Sequence, residues 1–156
     1  MSSIRHILVP TDGSDNASKA AAFAGELARA FKARITLLVV IAEESVMPGA
    51  WGVRPGPGGG PQGTMTVEQV RSALEQRAQE DELPKTQEAL GDLDVKPESV
   101  TVWGHPADAI RKYAEDNEVD LIVLGSHGRT GIKRAFLGSV SQAVANQAKC
   151  PVTIVK

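Results

Sequence analysis

The sequence predicts a doubly wound α/β fold, a five-stranded parallel sheet with helices on both faces. Three observations carry that reading. The strand candidates are short apolar runs without alternation, such as Ile35 to Ile41 and Leu121 to Leu124, the pattern of strands covered on both sides. Stretches with helical spacing lie between them, so strand and helix alternate along the chain. A glycine-rich run, Gly125 to Ser141, joins the fourth strand candidate to the last helix. It stands where open α/β sheets bind ligands, beyond the carboxyl ends of their strands.

Taken in order, Ile4 to Val9 is the first strand, closed by the turn Pro10-Thr11-Asp12-Gly13. Ser14 or Asp15 caps a helix whose inward face is expected to carry Ala20, Phe23, Ala24, Leu27, Ala28 and Phe31. Ile35 to Ile41 follows as the second strand. Met47 to Gly63 is dense in glycine and proline and reads as a long mobile loop. Helical spacing resumes at Val67, Val70, Leu74 and Ala78 and loses phase at Asp81-Glu82. Pro84 stands there, which predicts a kink or break, with a second piece ending near Leu90 and Gly91. Val95 to Trp103 is a weaker strand interrupted by Pro97, which suggests an edge. Pro106 suits the first turn of a helix with Ile110 and Ala114 inward and Asn117 near its end. Leu121 to Leu124 is the fourth strand, Val140 to Ala148 a helix, and Val152 to Val155 the fifth strand.

Composition narrows the function classes. The 156 residues suit one domain, and a net charge of -2 with 4% aromatics argues against nucleic-acid binding through bulk charge or base stacking. The single cysteine, Cys150, excludes a disulfide framework or Cys-rich zinc site and reads as a buried thiol beside Pro151. No apolar run reaches the ~20 residues of a membrane span, and the amino terminus passes straight into strand residues. A soluble, cytoplasmic protein is the expectation.

The run Gly125-Ser-His-Gly128-Arg-Thr-Gly131-Ile-Lys-Arg-Ala-Phe-Leu-Gly138-Ser139-Val-Ser141 carries the chemistry. Glycines let backbone N–H groups approach an anion, and the following helix N-terminus favours negative charge. Its spacing, G-x2-G-x9-G-S, resembles the signature of the ATP-binding branch of the universal stress protein family. The likeness extends to Ile7-Leu-Val-Pro-Thr-Asp12-Gly-Ser14, to Gly104-His-Pro-Ala-Asp-Ala-Ile110 and to Cys150-Pro-Val152. It implies a Rossmann-like, adenine-nucleotide-alpha-hydrolase-like sheet of order 3-2-1-4-5, which sets Asp12 and Gly125 on one crevice. The loop at 47–63 has no counterpart in that pattern.

The resemblance also implies roles. The first turn, Pro10, Thr11 and Asp12, would belong to the nucleotide site, with the Asp12 carboxylate near the ribose and accepting from its hydroxyls. Val40 would offer backbone groups to adenine. Gly125 would let the chain pass close to the sugar, and Leu124, Ser126 and His127 would belong to the same binding segment, with His127 a loop residue rather than a metal ligand or base. Gly128, Gly138, Ser139, Val140 and Ser141 would surround the phosphates, supplying N–H and hydroxyl donors. Ser139 can equally be an ordinary helix N-cap. Arg129, Lys133 and Arg134 form a local basic cluster, of which Arg129 is the candidate to offset phosphate charge. Gly58, Gly60 and Gly63 formally fit G-x-G-x-x-G, but stand away from any strand end among prolines, and are discounted.

Three readings of function stay open. The first is an ATP-binding regulatory protein of the stress response, hydrolysing slowly at most. The second is an ATPase or phosphoryl-transfer enzyme, disfavoured because the chain has no G-K-[ST] motif or evident general base beyond Asp12. The third is an interaction module independent of nucleotide. ADP and AMP suit the same loop as ATP, and Mg²⁺ or Mn²⁺ would be held mainly by phosphate oxygens. The resemblance further implies a homodimer paired along Val152 to Val155; the protein target is not encoded in any motif.

Overall fold

The computed structural model describes residues 3–46, 66–128 and 137–156. Strands β1 (His6–Pro10), β2 (Arg34–Ile41), β3 (Glu98–Trp103), β4 (Leu121–Gly125) and β5 (Val152–Val155) form one sheet in the order β3-β2-β1-β4-β5. All four pairings are parallel. β1 and β4 are neighbours, through Ile7 opposite Leu121 and Leu8 opposite Ile122. The expected order and switch point are therefore present. β3 starts at Glu98, immediately after Pro97, and occupies one edge as the proline predicts.

The apolar strands divide their side chains between two layers, because successive residues point to opposite faces. Ile7, Val9, Leu37, Val39 and Val123 meet helix α1 (Asp15–Phe31) and the segment ending at Leu90. Leu8, Leu38, Ile122 and Leu124 meet helices α4 (Pro106–Asp116) and α5 (Ser139–Gln147). Helix α1 starts with Ser14 as N-cap, its hydroxyl accepting from Ala17 N–H at 3.2 Å. Its buried face is alanine-rich: Ala17, Ala20, Ala21, Ala24 and Ala28. Phe23 and Phe31 do not face inward as the spacing suggests; they are 39% and 47% exposed. Small side chains let the helix lie close on the sheet, and the two rings are left on its flanks.

The Pro84 region also departs from expectation. Helix α2 (Val67–Arg77), a π-helical turn (Ala78–Glu82) and helix α3 (Leu83–Ala89) follow one another without a break. A proline inside an α-helix clashes with the carbonyl four residues back and forfeits one hydrogen bond. Widening to π spacing, with Leu83 N–H donating to Ala78 C=O, accommodates the ring while the chain stays helical. Gly91, at φ 71°, ends the segment as expected. Thr66 starts it with a capping box closed by Gln69.

At the opposite end of the sheet from the glycine loop, His6 is buried at the start of β1. Its Nδ1 lies 3.1 Å from the Asn117 carbonyl and so carries a proton; Nε2 lies 2.9 Å from the Thr36 hydroxyl, which is itself 3.5 Å from Glu98 Oε2. Burial, followed by the nearby Arg34 charge, lowers the His6 pKa from its ordinary 6.5. The folded state thus resists protonation where the unfolded chain accepts it. The His6 contribution to stability should be complete above about pH 6.5 and be lost as the pH drops below it toward the folded pKa. Urea midpoints between pH 7.5 and 5 should show that loss, and His6→Gln should flatten it.

Candidate functional site

The site grows from the carboxyl ends of β1 and β4. β1 stops where Thr11 N–H donates to Leu38 C=O at 2.9 Å. Asp12 then turns the chain: its Oδ1 accepts from Ser14 N–H at 2.9 Å, a local Asx turn. β4 ends at Gly125, and Ser126 is clamped on both sides of its backbone. Its N–H donates to Val155 C=O at 2.9 Å, and its C=O accepts from Gly138 N–H at 2.7 Å. That second bond draws the start of α5 against the end of β4. The Ser126 hydroxyl lies 2.9 Å from His127 Nδ1.

Helix α5 begins with Gly138 as N-cap and no side-chain cap. Ser139 is therefore the first helical residue, not the cap that sequence reasoning allowed. The first-turn N–H groups of Ser139, Val140 and Ser141 lie beyond reach of any intrahelical acceptor. Ser141 is buried and donates its hydroxyl proton to Gly125 C=O at 2.7 Å. Its side chain braces the loop, so its hydroxyl proton is spent within the protein rather than left free for donation as expected.

These elements enclose a cleft of ≈ 340 Å³, within the size range of small-molecule sites. One end is apolar, formed by Leu38 and Val40 of β2, Pro106 and Ile110 of α4, and Ala17 of α1. The other is polar and glycine-rich, formed by Asp12, Ser14, Gly128, Gly138, Ser139 and Ser141. Pro10, Thr11, Leu124, Gly125, His127 and Val140 complete the wall. Two expected residues are not seen on it. Ser126 is buried and acts through its backbone, and Arg129 lies outside the described residues, as do Lys133, Arg134 and the 47–63 loop.

The family model for the universal stress proteins matches residues 3–156. The chain belongs to the universal stress protein family. Universal stress protein MJ0531 of Methanocaldococcus jannaschii is 34% identical over 152 residues, 97% of this chain and 82% of that protein. Among solved structures, MJ0577 of the same organism superposes with a TM-score of 0.77 at 30% identity, covering 99% of this chain and 97% of that one. A universal stress protein in complex with cAMP superposes with a TM-score of 0.64 at 25% identity, covering 99% and 98%.

Within this universal stress protein fold, sequence reasoning missed Ser14, Ala17, Leu38, Pro106 and Ile110 as cleft residues. Leu38 was legible two positions before Val40, and Pro106 and Ile110 stand in the Gly104–Ile110 segment already singled out. Ala17 carried no signal. The reasons for the glycines were also not legible. A Cβ on Gly125 would stand 2.9 Å from the Asn16 carbonyl of α1, and one on Gly138 would stand 3.2 Å from Ser126 O. On Gly128 it would come 2.8 Å from Asp12 Oδ2. Each glycine thus permits a protein–protein approach within the site, besides any approach to a ligand.

Proposed function

We propose that this chain is an ATP-binding regulatory protein, with the cleft as its nucleotide site. The observation that carries the reading is one cavity joining an apolar end to a helix N-terminus without a side-chain cap. Adenine suits the Leu38, Val40, Pro106 and Ile110 end. Phosphates suit the first turn of α5 with Gly128, Gly138 and Ser139, where backbone N–H groups and the helix dipole favour negative charge. Asp12, in the polar part of the lining, suits the ribose hydroxyls. The relative in complex with cAMP supports an adenine ligand for this fold. Arg129 is the proposed charge partner of the phosphates, and the whole chain acts as one domain in the cytoplasm.

Among the described residues, no group of three or more His, Cys, Asp or Glu side chains is placed to hold a metal ion. Mg²⁺ or Mn²⁺ would enter on the phosphates, with water and at most the Asp12 carboxylate added, and would supply charge neutralisation. Among the described residues lining the cleft, only Asp12 and His127 carry ionisable side chains, and the chain is assigned a switch role with slow hydrolysis at most. The test is to denature the purified protein and identify released nucleotide by mass spectrometry, then titrate the emptied protein with Mg-ATP. Co-purified ATP or a saturable heat is expected. An empty protein that gives neither heat nor thermal shift would remove the reading in favour of an interaction module. Stoichiometric ADP or AMP would shift it toward an enzyme.

The second element of the proposal is a homodimer. β5 is the sheet edge beyond β4, its residues are half-buried, and an unpaired edge is a template for another strand. Ile154→Lys is expected to convert dimer to monomer in sedimentation. Ile154 also packs against the α4–α5 layer, so a melting curve must confirm that the variant is folded. A folded dimer would exclude this route.

A further inference from the structure

A chain of hydrogen bonds ties the Asp12 turn to a helix that takes no part in the cleft. Thr86, on α3, is fully buried, and Thr11 is 7% exposed. Thr86 Oγ1 lies 2.8 Å from the Glu82 carbonyl, which can only accept, so the Thr86 proton points there. Thr86 Oγ1 then accepts from the Thr11 hydroxyl at 2.6 Å. With its proton so used, Thr11 Oγ1 accepts from Gly13 N–H at 3.1 Å. Every proton in the series Gly13 N–H, Thr11 O–H, Thr86 O–H, Glu82 C=O has one acceptor, and the direction is unique.

Two further contacts reinforce the same junction. Gly13 has φ +74°, and a Cβ there would stand 3.0–3.2 Å from Glu82 Cγ, Cα and Cβ, so the turn is seated directly on the end of the π turn. Lys85 Nζ reaches Asp15 Oδ1 at 3.0 Å across the surface. Asp12 is thus flanked by two residues, Thr11 and Gly13, that are both fixed from the α2–α3 segment. Neither Glu82 nor Thr86 lines the cleft. The π turn that accommodates Pro84 ends at Glu82, so it forms part of this seat.

We infer that Thr86 is a positioning residue for the nucleotide site: its hydroxyl holds the Thr11–Gly13 turn so that the Asp12 carboxylate is aimed at the ribose hydroxyls. This rests on the nucleotide reading above. Thr86→Val keeps the shape of the side chain, removes the hydroxyl, and leaves the Thr11 O–H buried without its acceptor. The turn then relaxes and Asp12 loses its aim, while the adenine and phosphate ends of the cleft keep theirs.

The experiment compares ATP with 2′,3′-dideoxy-ATP by titration calorimetry on the wild type, Thr86→Val, Thr86→Ser and Asp12→Asn. Wild type should prefer ATP. Thr86→Val and Asp12→Asn should each weaken ATP about tenfold and leave the dideoxy analogue within twofold. Thr86→Ser, which restores the hydroxyl, should return ATP to within about twofold of wild type. Thr86→Ala is the second hydroxyl-free variant should the valine prove too unstable, because the ratio of the two affinities is readable from either. If Thr86→Val weakens both nucleotides equally, or neither, while Asp12→Asn abolishes the preference, the positioning role is overturned and the nucleotide reading stands. A wild type that binds neither nucleotide overturns both.

Discussion

Gly25→Ala is expected to lower stability by about 2 kcal/mol, although alanine is the better helix former. A Cβ at Gly25 would stand 2.2 Å from the Leu90 carbonyl oxygen and 3.1 Å from its carbon. Those are backbone atoms of a residue 1% exposed, so no flexible side chain can yield. The helix and the end of α3 would have to separate, and Arg29 Nη1, which donates to Leu90 C=O at 3.1 Å and Asp92 C=O at 3.2 Å, would lose its fit. Overpacking of this kind costs about 1–3 kcal/mol or more, against a helix-propensity gain of about 1 kcal/mol. The close approach, with its backbone partner, places the strain at the top of that range or above. For a chain of this size the melting temperature should drop by about 4–8 °C. An unchanged melting curve would mean that α1 and α3 are not in this contact.

Gly128→Ala is expected to do the reverse, sparing stability and weakening nucleotide binding about tenfold. Gly128 is exposed and its φ is not left-handed, so the fold should lose less than about 0.5 kcal/mol. The new methyl would stand 2.8 Å from Asp12 Oδ2. A carboxylate can swing away, but the same carboxylate is assigned to the ribose, and a displacement of an ångström is enough to forfeit a charge-assisted hydrogen bond. That bond corresponds to about 1.5–3 kcal/mol, of which a tenfold loss, about 1.4 kcal/mol, represents half to nearly all. Calorimetry beside a melting curve separates the outcomes: lost affinity with an unchanged melt is expected, and full affinity would detach Asp12 from the ligand.

Much of the architecture was legible because strands covered on both faces cannot hide among polar residues. Ile35 to Ile41 and Leu121 to Leu124 name themselves, and Pro97 marks the edge. The errors arose where one signal has two physical outcomes. A mid-helix proline permits a break or a π turn, and only the packing of Ala78, Leu83 and Thr86 against α1 and the sheet selects the second. Apolar spacing on α1 could not separate the alanines that touch the sheet from Phe23 and Phe31 beside them. At the site, the anion-binding character of the loop after β4 was readable from glycine chemistry, whereas the turn after β1 entered only through the family resemblance. What Gly125, Gly128 and Gly138 abut was not readable, because Asn16 and Asp12 reach the first two only once the sheet order brings β1 beside β4, and Ser126 reaches Gly138 only once α5 folds back on the end of β4.

The two side-chain layers have a consequence for how such a chain can diverge. The apolar end of the cleft is built mainly by the α4–α5 layer, through Leu38, Val40 and Ile110, with Ala17 of α1 beside them, whereas the seat of the Asp12 turn belongs to the α1–α3 layer. The sheet stands between them as a partition. Substitutions at Ile110 and at Thr86, on opposite faces of the sheet, should combine additively. Drift on the α4 side can therefore alter which ligand the cleft accepts while the turn that presents Asp12 is inherited intact.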